Sequence, residues 1–133
     1  MKFMVLIYTD PKLLAAVPQR EFDETMKGCI EHAEELESQV YLIDSQQLEP
    51  PATAKSIRVR NGKTTTIDGP FSETKEVLGG FNLIEADNMD EAIRIAMQFP
   101  WAELGCIEVR PVRDIGTVAQ RVGAARMPAA AKR

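Results

Sequence analysis

Two side chains are the candidates for acid–base chemistry, the carboxylate of Asp68 and the imidazole of His32, the single histidine of the chain. Asp68 opens the run "DGPFSETKEVLGGF" where an alternating strand should end. Gly69 permits close backbone approach, and Pro70 fixes φ and removes a donor, so we expect the turn to hold the carboxylate towards a cleft. The alternative is a carboxylate that closes the turn through its own backbone.

His32 falls on a predicted amphipathic helix, where its position relative to the apolar stripe decides its role. At 100° per residue it lies about 80° from the centre of that stripe, which is a boundary position. There the imidazole either reaches a cleft, where it suits proton transfer at neutral pH, or makes a local surface hydrogen bond. Both alternatives stay open. Proton transfer fits these residues better than redox or covalent chemistry, because the sequence shows no cofactor motif and no activated nucleophile.

Arginines and aromatic residues are the candidates for substrate binding. Arg58 and Arg60 share one face of a strand, and with Arg110 they have the chemistry to bind a carboxylate or phosphate by paired hydrogen bonds. The ordinary alternative is pairing with the abundant acidic residues at the surface or between subunits. Tyr8 ends the first strand, where it either offers its hydroxyl to the same cleft or packs. The predicted substrate-binding residues are Tyr8, Arg58, Arg60, Arg110, Pro70 and Phe71.

Metal and cofactor sites are not expected. Cys29 and Cys106 lie far apart, without a CxxC motif and with one histidine, so we predict reduced thiols and no metal ligands. The opening apolar run of the chain, Phe3 to Tyr8, is too short for a membrane span and lacks a signal-peptide pattern. We therefore expect a cytoplasmic protein without a membrane segment.

The net charge of −4 is unevenly distributed. From Arg113 onward the chain has five basic residues and one acidic residue, Asp114, which gives this segment a net charge of +4. The rest of the chain therefore carries a net charge of −8. An acidic body without a recognition motif makes nucleic-acid binding unlikely. The 133 residues suit one core, which we assign to residues 1–113, followed by a tail at 114–133 that is flexible or packs on a partner.

The elements that must position these residues follow from periodicity and turn chemistry. The segment at 56–68 alternates about Asn61 and Gly62, which predicts a type I′ hairpin. Asn88, with Glu91 three residues later, predicts the start of a helix. The expected order is a strand at 2–9, a loop with Pro11 and Pro18, a helix at 19–39, a strand at 40–48, the hairpin, a strand at 79–86, a helix at 87–99 and a strand at 106–112.

Without the hairpin this order is βαββαβ, which predicts a ferredoxin-like α+β fold. The first strand is apolar on both alternating sets, whereas two helices cover only one face of an antiparallel sheet. The simplest way to bury the other face is to pack it against the same face of a second copy of the chain. We therefore predict a homodimer with a cleft between two sheets.

The stretches "MVLIY", "LEPPATAKSIRVRNGKTTTIDGPFSETKEVLGGFNLIEADNMDEAI" and "IEVRPV" resemble the DGPF-type branch of the YCII-related proteins, over about residues 1–112. The resemblance implies a dimeric ferredoxin-like α/β barrel. The resemblance also implies the His and Asp pair of the broader group, which is suggested to be catalytic, and a few members of that group are linked to lyase-type chemistry on small ring-derived acids. Some similar genes lie beside, or are fused to, alternative sigma factors.

These observations favour a homodimer that binds a small anionic organic molecule in the inter-sheet cleft. Proton-transfer catalysis of lyase or isomerase type, without a cofactor, is the chemistry expected if the protein is an enzyme. The alternative is a non-enzymatic regulatory or interaction module linked to a sigma factor, for which the basic tail is the hint from the residues themselves.

Overall fold

The computed structural model describes residues 1–39 and 41–124. Its strands are β1 (Lys2–Thr9), β2 (Leu42–Gln47), β3 (Lys55–Arg60), β4 (Lys63–Asp68), β5 (Val77–Glu85) and β6 (Gly105–Pro111). Its α-helices are α1 (Pro11–Ala15), α2 (Gln19–Ser38), α3 (Met89–Ala96) and α4 (Ile115–Val122), with short 3-10 helices at Pro51–Thr53 and Pro100–Leu104.

Four strands form one antiparallel sheet in the order β2-β5-β1-β6, and β3 pairs with β4 in a separate hairpin. This is the strand order of a ferredoxin-like βαββαβ unit with a hairpin inserted before its third strand. The predicted α+β fold class is therefore confirmed. The hairpin is confirmed as well: Asn61 and Gly62 both have positive φ, 54° and 73°, as a type I′ turn requires.

The two faces of the sheet differ in how they are covered. Alternate residues of β1, represented by Phe3 and Val5, are fully buried in one core with Leu36 of α2 and Ala92 of α3. The other set of β1 residues, which contains Leu6, is half-buried on the opposite face. This confirms that β1 is apolar on both faces, with its helix-facing side the better covered.

A bulge interrupts the pairing of β5 with β1 between Ile7 and Tyr8. Gly80, beside it, packs so closely on β2 that a Cβ there would lie 2.7 Å from the carbonyl oxygen of Gln46. At Gly79 a Cβ would have ordinary contacts, the nearest being Thr9 Oγ1 at 3.6 Å. Gly79 thus lies at a bulge and Gly80 at a close approach of two strands.

Two helices lie where the sequence predicted none. In α1 the Asp10 carboxylate accepts a hydrogen bond from the Lys12 amide at 2.9 Å, and Pro11 occupies the first turn, so a segment expected to be a loop is helical. Asp114 caps α4 in the same way, through the Gly116 amide at 2.9 Å. The predicted tail therefore begins with a helix. Its bases Arg126, Lys132 and Arg133, and Val40 of the predicted second strand, lie outside the described residues.

Candidate functional site

A cleft of about 540 Å³ opens between the helix-facing side of the sheet and the helices α1 and α2. Its volume falls within the range of small-molecule sites, about 300 to 1,000 Å³. We call it the helix-side cleft. Its floor comes from β1, β2 and β5, one wall from α1 and the first half of α2, and its rim from the segment after β2. The lining residues central to the argument are Thr9, Leu14, Phe22, Met26, Cys29, Ser45, Gln47, Glu49, Gly80, Asn82 and Trp101.

The wall exists because α2 covers the core unevenly. Phe22, Met26 and Cys29 follow one another at helical spacing on its sheet-facing stripe, and all three are only partly buried. Leu36, near the end of the same helix, is buried in the core. The first half of the stripe therefore faces the cleft, whereas the last turns of α2 pack on the sheet.

Two polar side chains of the cleft floor have no hydrogen-bond partner among the described residues. Asn82 of β5 is 3% exposed and Thr9 of β1 is 9% exposed. Their polar atoms are not sealed from solvent, because the one fully buried side-chain atom without a partner in the described chain is Nε2 of His32. Both residues line the cleft, so their polar groups are open to a molecule bound there.

Trp101 and two sulfur atoms form the end of the cleft. The indole Nε1–H of Trp101 donates to Cys29 Sγ at 3.3 Å, and the ring centroid of Phe22 lies 6.4 Å from that of Trp101. Across the cleft, Gln47 Nε2 donates to Met26 Sδ at 3.6 Å. This end presents aromatic and soft, polarisable surface. Both cysteines of the chain are free thiols.

The charge around the cleft has one sign. Among the described residues that line it, none is a lysine or arginine, and the one carboxylate is that of Glu49, at the exposed rim. The acidic outer face of α2 lies on the other side of its helix. On that face the hydrogen bond between Lys27 and Glu31 raises the pKa of the fully exposed Lys27, and the negative charge of Glu31 raises it further.

The predicted site residue Asp68 lies at the end of β4, outside the helix-side cleft. Its side chain is 83% exposed and pairs with Lys55, directly opposite on β3. Gly69 follows with φ of 93°, its amide donates to the Ala54 carbonyl at 2.6 Å, and its own carbonyl accepts from Ser56 Oγ at 2.8 Å. These hydrogen bonds fix the turn, and within one chain the carboxylate faces solvent and not a cleft.

His32 occupies the predicted boundary position on α2, with 23% of its side chain exposed. Its ring packs edge-on against Phe99, with centroids 5.3 Å apart, and its Nδ1 lies 3.9 Å from Glu35 Oε2. Its Nε2 is buried and has no hydrogen-bond partner among the described residues. His32 does not line the helix-side cleft, and the described chain shows no contact between it and Asp68.

The structure separates the predicted substrate-binding residues into two shallow depressions. Arg58, Arg60 and Phe71 line one on the hairpin. Tyr8 lines the other, on the far face of the sheet beside Lys75. Arg110 lies on β6, where its Nε donates to Glu108 Oε2 at 2.9 Å, and the exposed Pro70 follows the hairpin. The expected grouping of Arg110 with the hairpin arginines is therefore not formed within one chain.

Sequence reasoning missed the helix-side cleft and one buried acid. The Asp10 side chain is 5% exposed, caps α1, and has its Oδ2 4.0 Å from Nζ of Lys75 in the DGPF run. The sequence does contain a signal for Asn82. In "GGFNLIEA" it lies two residues before Ile84, so the two side chains point to the same, helix-facing side of the strand. An asparagine on the buried side of a strand is the kind of residue that marks a site.

Within residues 1–39 and 41–124, no group of three histidine, cysteine or acidic side chains is arranged to hold a metal ion. Across the same ranges, no helix has both the length and the apolar character needed to cross a membrane.

A ferredoxin-like antiparallel sheet backed by two helices, with a ligand-sized cleft between the layers, places the chain in a broad class of α+β proteins. Sequence comparison narrows that class. The family model of the YCII-related domain matches residues 1–116, so the chain belongs to the YCII-related family, as its motifs predicted. An uncharacterized protein of Rhizobium meliloti (strain 1021) is 33% identical over 114 residues, which cover 84% of this chain and 92% of that protein.

Among solved structures, 5-chloro-2-hydroxyhydroquinone dehydrochlorinase from Burkholderia phenoliruptrix AC1100, in complex with 2,5-dihydroxybenzoquinone, is similar with a TM-score of 0.48 and 14% identity. The alignment covers 85% of this chain and 94% of that one.

Proposed function

We propose that this YCII-related protein binds a small organic molecule in the helix-side cleft. The observation that carries the proposal is a preformed cavity of about 540 Å³ whose floor holds the polar side chains of Asn82 and Thr9, which have no hydrogen-bond partner among the described residues. A concave, mostly apolar cavity with a few converging polar groups is the usual form of a ligand site. The run "DGPFSETKEVLGGF" supports the further proposal that the chain belongs to the DGPF branch of its family.

Homodimer formation is the second part of the proposal. The far face of the sheet presents half-buried apolar side chains of β1 and β5. Ile57 of the hairpin is 71% exposed, and Phe71, which follows the hairpin, is 73% exposed. Exposed apolar surface of this kind typically marks an interface. A second copy of the chain covers such a face with an equivalent one, which is how most small proteins associate.

Catalysis by Asp68 and His32 remains a separate proposal, of lyase or isomerase type. In favour of it, the turn of Asp68 is held by backbone hydrogen bonds, and the buried Nε2 of His32 lacks a partner among the described residues. Because neither residue lines the helix-side cleft, this proposal needs a pocket completed by the second copy. Ligand binding and catalysis at Asp68 are therefore separable by mutation.

A cleft-filling substitution tests the binding site. Met26→Trp places a larger side chain in the cleft from a half-buried helical position, and we expect it to weaken ligand binding at least about tenfold while the fold is retained. Ile30→Trp, on an exposed part of the same helix, is the matched control and should bind as the wild type does. The measurement is the thermal shift of each variant with small aromatic acids, ring-cleavage acids and aromatic amides.

Asp68→Asn belongs in the same screen because it separates the two candidate sites. If the cleft is the site, this variant should keep the thermal shift that Met26→Trp loses. Loss of the shift in Asp68→Asn with retention in Met26→Trp would move the ligand to the turn of Asp68. The regulatory alternative is favoured only if no compound class stabilises the wild type while a sigma factor co-purifies with it.

A further inference from the structure

We propose that the helix-side cleft selects uncharged aromatic molecules, which it orients through a hydrogen bond to Asn82 or to Thr9. This inference rests on the proposed function and specifies its ligand class. It replaces, for this cleft, the anionic ligand that the sequence suggested, because that expectation depended on Arg58, Arg60 and Arg110. None of these arginines lines the cleft.

The absence of cationic groups disfavours anions. Among the described residues, the cleft is lined by apolar, aromatic and neutral polar side chains, with the carboxylate of Glu49 at its rim. An anion that enters loses its hydration shell and finds no arginine or lysine to replace it. The rim carboxylate adds repulsion. Among the described lining residues none offers a buried carboxylate to a cation either, so neutral molecules have the advantage.

The two unpartnered polar groups define where such a molecule is held. Asn82 lies opposite Val5 of β1, and Thr9 is four residues further along that strand. At the rise of a strand, the two side chains stand about 13 Å apart, with Ile7 between them on the same face. The Asn82 amide both donates and accepts, so it matches a primary amide or a comparable neutral group. Phe22 and Trp101 offer aromatic surface to the remainder of the ligand.

The same two groups predict a stability effect that separates binding from structure. Neither side chain has a hydrogen bond to the described chain, so an apolar replacement of similar size breaks no such bond. Asn82→Leu should therefore leave the melting temperature unchanged or higher while it weakens ligand binding. A residue with a purely structural role would instead lower the melting temperature when replaced. Loss of affinity without loss of stability is the signature of a residue retained for binding.

Matched naphthalene probes test the charge preference. We expect 2-naphthamide to bind the wild-type protein at least about tenfold more tightly than 2-naphthoate, which differs from it in charge but hardly in shape. The charged 2-naphthylmethylammonium should also bind more weakly than the amide. Titration calorimetry gives the three dissociation constants, and Met26→Trp identifies which of them report on the cleft.

Two variants test the anchors. Asn82→Leu should weaken 2-naphthamide binding at least about tenfold without lowering the melting temperature of the free protein. Thr9→Val, which removes a hydroxyl from a residue 9% exposed and keeps its shape, should have the smaller effect on affinity, because the single amide of the probe reaches one anchor at a time and Asn82 matches it better. It also provides the test if Asn82→Leu does not fold.

The outcomes separate this inference from the proposed function. Tighter binding of 2-naphthoate or the ammonium probe, abolished by Met26→Trp, would overturn the charge preference and leave the cleft as a ligand site. Unchanged amide affinity in both anchor variants, or a lowered melting temperature in both, would overturn the role of Asn82 and Thr9. If no probe and no member of the wider compound screen binds, the proposed function fails as well.

Discussion

Replacement of Gly105 by alanine is expected to lower the free energy of unfolding by about 3 kcal/mol or to prevent folding. Gly105 opens β6 opposite Thr9, and a Cβ there would lie 2.0 Å from the carbonyl oxygen of Tyr8 and 2.7 Å from the Cα of Thr9. Both neighbours are backbone atoms of the central strand, so no side-chain rotation relieves the clash. One of the two strands must move. Because Thr9 lies on the cleft floor, a variant that does fold should also bind ligand less well.

Gly79→Ala is the matched control for this prediction. It adds the same methyl group in the same sheet, but its nearest contact is Thr9 Oγ1 at an ordinary 3.6 Å. Its unfolding free energy should stay within about 1 kcal/mol of the wild type. Urea denaturation measures both variants. A Gly105→Ala protein as stable as Gly79→Ala would contradict the close approach of the β1 and β6 backbones at Gly105.

Leu6→Lys is expected to convert the proposed homodimer into a monomer, with a rise of about a hundredfold or more in its dissociation constant. Leu6 lies at the centre of the far face of the sheet, half-buried on β1. In a dimer formed through this face the lysine and Glu108, directly opposite on β6, would both be removed from water, and this desolvation costs several kcal/mol that their pairing repays only in part. In the monomer the same cross-strand pair stays solvated and is favourable.

The control for Leu6→Lys adds the same charge on another surface. Ile93 of α3 is an apolar residue, 40% exposed on the helical layer, and Ile93→Lys should leave association unchanged. Sedimentation velocity over a range of concentrations gives the oligomeric state of all three proteins. A wild type that is monomeric at tens of micromolar, or a Leu6→Lys protein that associates like the wild type, would contradict the proposed interface.

Elements with local chemical signals were predictable from the sequence. Asn61 and Gly62 specify their hairpin through two positive φ angles, and Asn88 fixes the start of α3 by accepting from the Glu91 amide at 2.9 Å. The helix α1 also carried its signals, an acidic cap at Asp10 and a proline in its first turn. It was missed because a proline after a strand was interpreted as the start of a loop.

The cleft was less predictable, because it depends on how far one helix stands from the sheet. Periodicity placed Phe22 and Met26 on the buried face of α2 but did not show that this half of the helix leaves a cavity. The sequence therefore directed attention to Asp68, whose turn chemistry is conspicuous in the chain. A turn motif predicts local geometry, and in this chain the Asp68 side chain is 83% exposed. A turn motif does not predict where the residues of a second copy of the chain lie.

The most direct test of the account is a crystal structure of the protein soaked with 2-naphthamide. We expect density for the ring system in the helix-side cleft, near Phe22 and Trp101, with its amide within hydrogen-bonding distance of the Asn82 or Thr9 side chain. A ligand bound instead between two sheets beside Asp68, or an unoccupied cleft under conditions in which calorimetry shows binding, would contradict the central claim.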